Sequence, residues 1–288
     1  MNIIGTGLSG LVGSGVTKLL SPDFSFENLS LETGVDITQK DVLASRLVAS
    51  SAPWVFHFAA KTDVDGCEKE KELGVTSEAW RINVEATESI IAACKQTKKR
   101  LLYISTDFVF DGTADVYTEE DIPNPQSWYA KTKYEGELRV RSLGESGLVI
   151  RIAFPYRAVN EGKKDFFHRM LESLAAGNGL TAPSDQQFVP TFIDDIARAI
   201  GSLVSQAASG IYHVVGSQAL SPYEAGRKIA ATFGYKETLV RSILFAKFYE
   251  GRAPRPFHAN LSNAKIAKFG VAMSTFDEGL VAIAQQLV

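Results

Sequence analysis

Short apolar runs at residues 2–4, 29–31, 54–58, 101–105 and 148–152 alternate with longer stretches at 11–20, 41–50, 78–95 and 127–141, where apolar residues return every third or fourth position. Runs that are apolar throughout suit strands covered on both faces, and the longer period suits helices laid against them. Strand and helix in alternation predict βαβ units, hence an α/β fold with a doubly wound parallel sheet. Beyond residue 152 the order loosens. Helices are expected at 166–176, 193–204, 222–233 and 275–287, the last opened by a Thr275/Glu278 capping-box pattern. A run at 211–215 reads as a last strand of the sheet. The expected division is a larger α/β domain from 1–152 with 193–215, and a smaller lobe from 153–192 with 216–288, whose final helix is free to pack on the larger domain.

The first strand runs into Gly5-Thr6-Gly7-Leu8-Ser9-Gly10-Leu11-Val12-Gly13. Both a GxGxxG from Gly5 and a GxxGxxG from Gly7 fit this stretch. In either register glycine permits a tight turn and close approach of a phosphate, and the helix that follows offers free N–H groups and the positive end of its dipole. A strand before the turn and a helix after it predict the dinucleotide cradle of a Rossmann domain. About twenty residues on, an acidic side chain holds the adenosine ribose hydroxyls in such domains. Glu32 is the candidate, with Asp36 as the alternative, and either leans toward NAD while leaving NADP open.

Tyr129-Ala130-Lys131-Thr132-Lys133 puts a phenol and an ammonium one helical turn apart on one face. A nearby cation stabilises a phenolate, so Lys133 is expected to lower the pKa of Tyr129. On a surface helix this spacing is commonplace. The segment Ser105-Thr106-Asp107-Phe108-Val109-Phe110-Asp111-Gly112, directly after an apolar strand, gives it meaning, because ligands of doubly wound sheets sit at the carboxyl ends of strands. Thr106 would orient a substrate carbonyl, Tyr129 would deliver the proton, a dihydronicotinamide would supply the hydride, and Lys133 would hold both the tyrosine and the nicotinamide ribose.

A glycine turn, a strand-end Ser/Thr and a Tyr-x-x-x-Lys together resemble the extended short-chain dehydrogenase/reductase family. STDFVFDG narrows the resemblance to the dTDP-4-dehydrorhamnose reductase family, also called RmlD-like. Ala59-Ala60-Lys61-Thr62-Asp63-Val64-Asp65, Asp185-Gln186-Gln187-Phe188-Val189-Pro190-Thr191, and Arg255-Pro256 with Lys265 are similar to further segments of it. The resemblance selects the Gly7/Gly10/Gly13 register, with Gly5 closing the strand. It implies reduction of a 4-keto group on a nucleotide-linked deoxysugar, with NADH or NADPH. It places Gly7, Gly10, Leu11, Val12, Gly13, Glu32, Asp36, Ile37, Ala59, Ala60 and Lys61 with Tyr129 and Lys133 at the cofactor, and Val64, Thr106, Asp107, Phe154, Asp185 and Gln186 at the sugar. Asn83, in Arg81-Ile82-Asn83-Val84, would support the active-site lysine through water. Ile152-Ala153-Phe154 departs from the family's usual Thr-Ser-Trp, Phe257-His258-Ala259-Asn260 from its usual Asn-Ser, and Lys61 replaces an aromatic or histidine, so the sugar pocket is altered while the proton-transfer set is complete.

Charge and composition narrow the remaining classes. A net charge of −3 over 288 residues, with no block of five like charges, does not suggest a nucleic-acid surface. No apolar stretch reaches the roughly 18–20 residues that span a bilayer, and no charged-then-apolar leader opens the chain, so a cytoplasmic protein without membrane partner is expected. Cys67 and Cys94 lie outside any ligand spacing, the four histidines do not pair as metal ligands, and no metal is expected. His57 and His213 fall in buried strands and read as hydrogen-bonded core residues. A homodimer is an open alternative. Two other functions stay open: a non-catalytic dinucleotide-binding regulatory subunit resembling the β subunit of methionine adenosyltransferase, and an epimerase or dehydratase of nucleotide sugars.

Overall fold

The computed structural model describes residues 1–160 and 162–287. Six parallel strands form the central sheet, in the spatial order Gly210–His213, Gly147–Ile152, Arg100–Thr106, Trp54–His57, Asn2–Thr6, Ser25–Leu29. The chain builds outward from Asn2–Thr6 to one edge, then returns to its other side with Trp54–His57. That reversal leaves a crevice at the carboxyl ends of these two strands, the place where open parallel sheets bind ligands.

Both faces are covered, as the apolar runs require. Helices Leu11–Leu20 and Ile193–Ser205 pack on one face, where Val16, Leu20, Ile196 and Ile200 meet Ile3, Phe56, Leu102 and Ile150. Helices Lys40–Ala49, Ala86–Thr97 and Trp128–Arg141 cover the other through Leu43, Leu47, Ile90 and Val140. Each such side chain contributes about 1.5–3 kcal/mol by leaving water. A separate apolar cluster, including Tyr156, Phe167, Phe188, Ile229 and Phe276, holds the smaller lobe together.

Several expectations are corrected. The second strand is Ser25–Leu29, not 29–31. It is the outermost strand, paired only with Asn2–Thr6, so Ser25 and Glu27 face solvent and no continuous apolar run marks it. Leu31, read as strand, is 77% exposed in a short 3₁₀ turn, Leu31–Thr33. The expected helix 78–95 is interrupted by a π-turn, Arg81–Glu85, which contains Asn83. The last strand is Gly210–His213; Val214 still donates to the Arg151 carbonyl at 2.9 Å before the chain leaves the sheet. In the lobe assignment, Ile266, Val271 and Met273 pack instead on the sheet, while Phe276, Leu280 and Ile283 of the final helix Phe276–Gln286 join the lobe cluster.

One polar group sits at the centre of this packing. Arg151, 1% exposed, donates from Nε and Nη2 to the two carboxylate oxygens of Glu137 at 3.0 and 2.7 Å, and from Nη1 to Nε2 of His213 at 3.3 Å. Burial pushes the His213 pKa down to about 3, so its ring is neutral and able to accept. The pair ties the helix Trp128–Arg141 to the strand Gly147–Ile152. Glu137→Gln leaves the guanidinium buried without a counter-charge and is expected to cost about 3–5 kcal/mol in urea unfolding, whereas Glu137→Leu with Arg151→Met recovers most of that loss.

Candidate active site

The strand Asn2–Thr6 ends at Gly7, whose φ of +69° only glycine adopts without strain. A Cβ at Gly7 would stand 2.4 Å from the Ala59 nitrogen, and one at Gly13 would stand 2.3 Å from the Gly7 carbonyl. The turn, the start of the helix and the loop after the third strand are therefore in backbone contact. Gly10 is the N-cap of Leu11–Leu20; no side chain caps that helix, and no acidic residue lies in its first turn. Gly10, Leu11, Val12 and Gly13 all line one cavity of about 710 Å³, so uncapped amides open onto it. The fit to a pyrophosphate rests on these donors.

The same cavity extends in two directions from the glycine turn. At one end lie Glu32, Asp36 and Ile37; Asp36 accepts from the Thr38 amide and hydroxyl at 2.9 and 2.8 Å, which hold its pKa below the usual range. At the other lie Ala59, Ala60, Val64, Thr106, Asp107, Tyr129, Lys133 and Phe154. Among the residues read from the sequence, Lys61, Asn83, Asp185 and Gln186 do not line the cavity. The Lys61 ammonium pairs with Glu70 and Glu78, which raise its pKa to about 12 against the cost of burial. Asn83 accepts from the Lys61 amide at 2.8 Å and donates to the Lys61 carbonyl at 3.1 Å and the Thr132 hydroxyl at 2.9 Å. It thus fastens the loop to the helix that carries Tyr129 and Lys133. Asp185 accepts from the Phe245 amide at 2.7 Å and Gln186 donates to the Pro256 carbonyl at 3.2 Å, so both brace the lobe.

The helix Trp128–Arg141 begins at Ser127, whose hydroxyl accepts from the Ala130 amide. Tyr129, Lys133 and Glu137 then follow at four-residue intervals and are all buried. Lys133 donates from Nζ to the Ile104 carbonyl at 2.7 Å and stands 4.0 Å from the Tyr103 ring centre. Burial lowers its pKa to about 7, opposed by the Glu137 carboxylate. The expectation for Tyr129 is corrected: burial raises its pKa well above that of a free phenol, and the nearby Asp107 carboxyl adds to the rise. The Thr106 hydroxyl, bonded to the phenol, opposes it. Burial, the largest influence on the Tyr129 hydroxyl, favours the protonated phenol.

Thr106 also donates to Asp107 Oδ1 at 3.0 Å, and burial pushes the Asp107 carboxyl up to about 7. Asp107 Oδ2 and Ser105 Oγ are buried without a hydrogen-bond partner among the described residues, and both residues line the cavity. Buried polar atoms are seldom left unpaired, so this wall is built for a polar ligand. Phe154, at φ +40°, is in a strained conformation, with its ring centre 4.6 Å from that of Phe188 and 6.3 Å from that of Phe108. The remainder of the STDFVFDG motif is structural. Asp111 accepts from Thr113, Tyr117 and Asn124, and a Cβ at Gly112 would collide with the Phe257 amide. His57, bonded to Thr6 at 2.7 Å and Thr87 at 3.0 Å, is a neutral core residue with a pKa lowered by burial to about 3. Sequence reading missed Ser105, Phe108, Thr62 and Lys163 as lining residues; only Ser105, at the same strand end as Thr106, carried a positional signal.

The model of the RmlD substrate binding domain matches residues 1–288. The chain belongs to this family, a branch of the extended short-chain dehydrogenases/reductases. It is 30% identical to a probable low-salt glycan biosynthesis reductase of Haloferax volcanii, over 96% of this chain and 95% of that protein. It is also 30% identical to the methionine adenosyltransferase 2 subunit beta of Xenopus tropicalis, over 77% of this chain and 66% of that one. The dTDP-4-dehydrorhamnose reductase of Bacillus anthracis, solved in complex with NADP, superposes with a TM-score of 0.88 at 26% identity, covering 99% of each chain.

The raised Asp107 pKa makes a signed prediction for this family member. Between about pH 4 and 7 the folded chain retains a proton that the unfolded chain has released, so the contribution of Asp107 to stability falls as pH rises through that window. Urea unfolding across pH 4–8 should show wild type losing stability relative to Asp107→Asn, with the difference levelling off above about 7. A difference independent of pH would contradict the assignment.

Proposed function

We propose that this chain reduces the 4-keto group of a nucleotide-activated 6-deoxysugar. The chain is an NAD(P)-dependent oxidoreductase of the nucleotide-sugar type, as its family membership and its relatives' chemistry support. The single observation that carries the finer reading is the meeting of Thr106, Tyr129 and Lys133 with the glycine turn in one cavity. A bound dihydronicotinamide supplies the hydride. Thr106 bonds the keto oxygen and holds it toward Tyr129, whose phenolic proton passes to that oxygen as negative charge develops there. The protonated state of Tyr129 suits reduction. Lys133 then faces a phenolate and stabilises it until a proton returns. Phe108 and Phe154 form an apolar wall beside Tyr129, suited to the deoxy face of the sugar.

At the adenosine end, Glu32 and Asp36 line the cavity and no lysine or arginine does so among the described residues beside them. This charge favours a free 2′-hydroxyl over a 2′-phosphate. NADH is expected to bind several-fold more tightly than NADPH, measured by nucleotide fluorescence, with Glu32→Gln narrowing the ratio. Equal affinities would remove the preference.

The likeness to the methionine adenosyltransferase subunit favours a second reading, a dinucleotide-binding regulatory partner. Purified chain with NADH and dTDP-4-keto-6-deoxymannose separates the two. The reductase consumes cofactor, and Tyr129→Phe loses about 10²–10⁴-fold in kcat. Absence of turnover on keto sugars, with binding to an adenosyltransferase catalytic subunit, would replace the first reading with the second.

A further inference from the structure

A cavity that takes a dinucleotide and a nucleotide sugar must accommodate two diphosphate groups. Its walls carry the carboxyls of Glu32, Asp36 and Asp107 and, among the described residues, two ammonium groups, Lys133 and Lys163. The uncapped helix Leu11–Leu20 faces one diphosphate. Lys133 is 3% exposed, with its Nζ donating to the Ile104 carbonyl beside Tyr129, and so belongs to the proton-transfer set rather than to the second diphosphate.

Lys163 has a different position. It stands exposed on the loop before the lobe helix Phe166–Ala175, and its Nζ reaches Thr62, on the loop after the third strand, at 2.6 Å. Lys163 and Thr62 both line the cavity, so this bond joins the lobe to the sheet domain across it. The partner is a neutral hydroxyl. The adjacent Lys164 instead pairs with the Glu172 carboxylate at 2.7 Å, and no described carboxylate lies within ion-pair distance of Lys163. Among the described residues the positive charge at the cavity wall is therefore hydrogen-bonded and has no carboxylate partner.

We propose that Lys163 binds the diphosphate of the nucleotide sugar, exchanging the Thr62 hydroxyl for a phosphate oxygen. The inference rests on the nucleotide-sugar reading above. A charge-assisted bond to phosphate is about twice as strong as one between neutral groups, and the ammonium keeps enough stem to turn from one acceptor to the other. The glycine turn already serves the cofactor, which leaves the substrate diphosphate as the anion that this loop meets.

Calorimetric titration of the full chain with dTDP, and fluorescence titration with NADH, test it in wild type, Lys163→Met and Lys163→Arg. Lys163→Met is expected to weaken dTDP about tenfold, a loss of about 1.4 kcal/mol, with KM for the keto sugar rising in step and NADH affinity within twofold of wild type. Lys163→Arg retains most of the dTDP affinity, and the salt dependence of dTDP binding falls in Lys163→Met. Unchanged dTDP affinity in Lys163→Met overturns the proposal. Weakened NADH with unchanged dTDP overturns it too, by moving the contact to the cofactor's pyrophosphate. Wild type that binds NADH but no dTDP is a separate failure, that of the nucleotide-sugar reading itself, and it removes this inference as well.

Discussion

The site depends on backbone touching backbone where the sheet reverses direction. A Cβ at Gly5 would stand 2.5 Å from the Phe56 carbonyl, one at Gly7 would meet Ala59, and one at Gly13 would meet Gly7. Those approaches lock the first strand, the turn, the helix N-terminus and the loop 58–61 into one unit. Any side chain there would part the strands or lift the helix, and the cavity lining from Gly7 to Gly13 and at Ala59 and Ala60 would move with it. The Phe58 and Ala59 amides, both donating to the Thr6 carbonyl, close the unit from the other side.

A second unit is tied to the first by Asn83. Its amide group bonds the Lys61 backbone and the Thr132 hydroxyl, which joins the loop to the helix bearing Tyr129, Lys133 and Glu137. The π-turn around Asn83 inserts one more residue into that turn of helix and so aims the side chain at the loop. Further along, the Arg151–Glu137 pair fixes the rotation of the same helix against the sheet. Tyr129 therefore meets Thr106 through a chain of buried polar contacts, each expensive to break because nothing else can satisfy the groups inside.

The parallel sheet, its covering helices and the glycine turn were legible because each leaves a periodic or steric signature: continuous apolar runs, a 3.6-residue period, and glycines between strand and helix. The edge strand Ser25–Leu29 left none, since one free edge and exposed alternate residues make it as polar as a loop. Tyr129, Lys133 and Thr106 were legible as a set, but the direction of the Tyr129 pKa was not. Spacing tells which charges are near and says nothing of how dry the place is, and here burial dominates. Lys163 was illegible for a related reason: its role follows from having a hydroxyl rather than a carboxylate opposite, 101 residues away.

The family motifs divide by what they touch. Asp111, Asp185, Gln186 and Thr191 bond backbone or neighbouring side chains, Gly112 packs against Phe257, and none of the five lines the cavity. Lys265 belongs with them, its Nζ donating to the Ile211 carbonyl at 2.8 Å and lying over Tyr212. Asp65 does the same across the cleft, held to a pKa of about 2 by Arg255 and Arg252 and the Ala253 amide, so the lobe segment 252–255 is pinned beside Val64. Facing the cavity at this end are the rings of Phe108 and Phe154, the Tyr129 phenol, the hydroxyls of Thr62, Ser105 and Thr106, the Asp107 carboxyl and the Lys163 ammonium, which no described carboxylate pairs. A frame whose polar groups are mostly bonded within the protein, Gln186 Oε1 excepted, leaves substrate choice to the few groups that face the cavity. Phe154, in its strained conformation against Phe188 and Phe108, is therefore a position where replacing a ring changes the shape of the pocket, reaching Tyr129 only through Phe108.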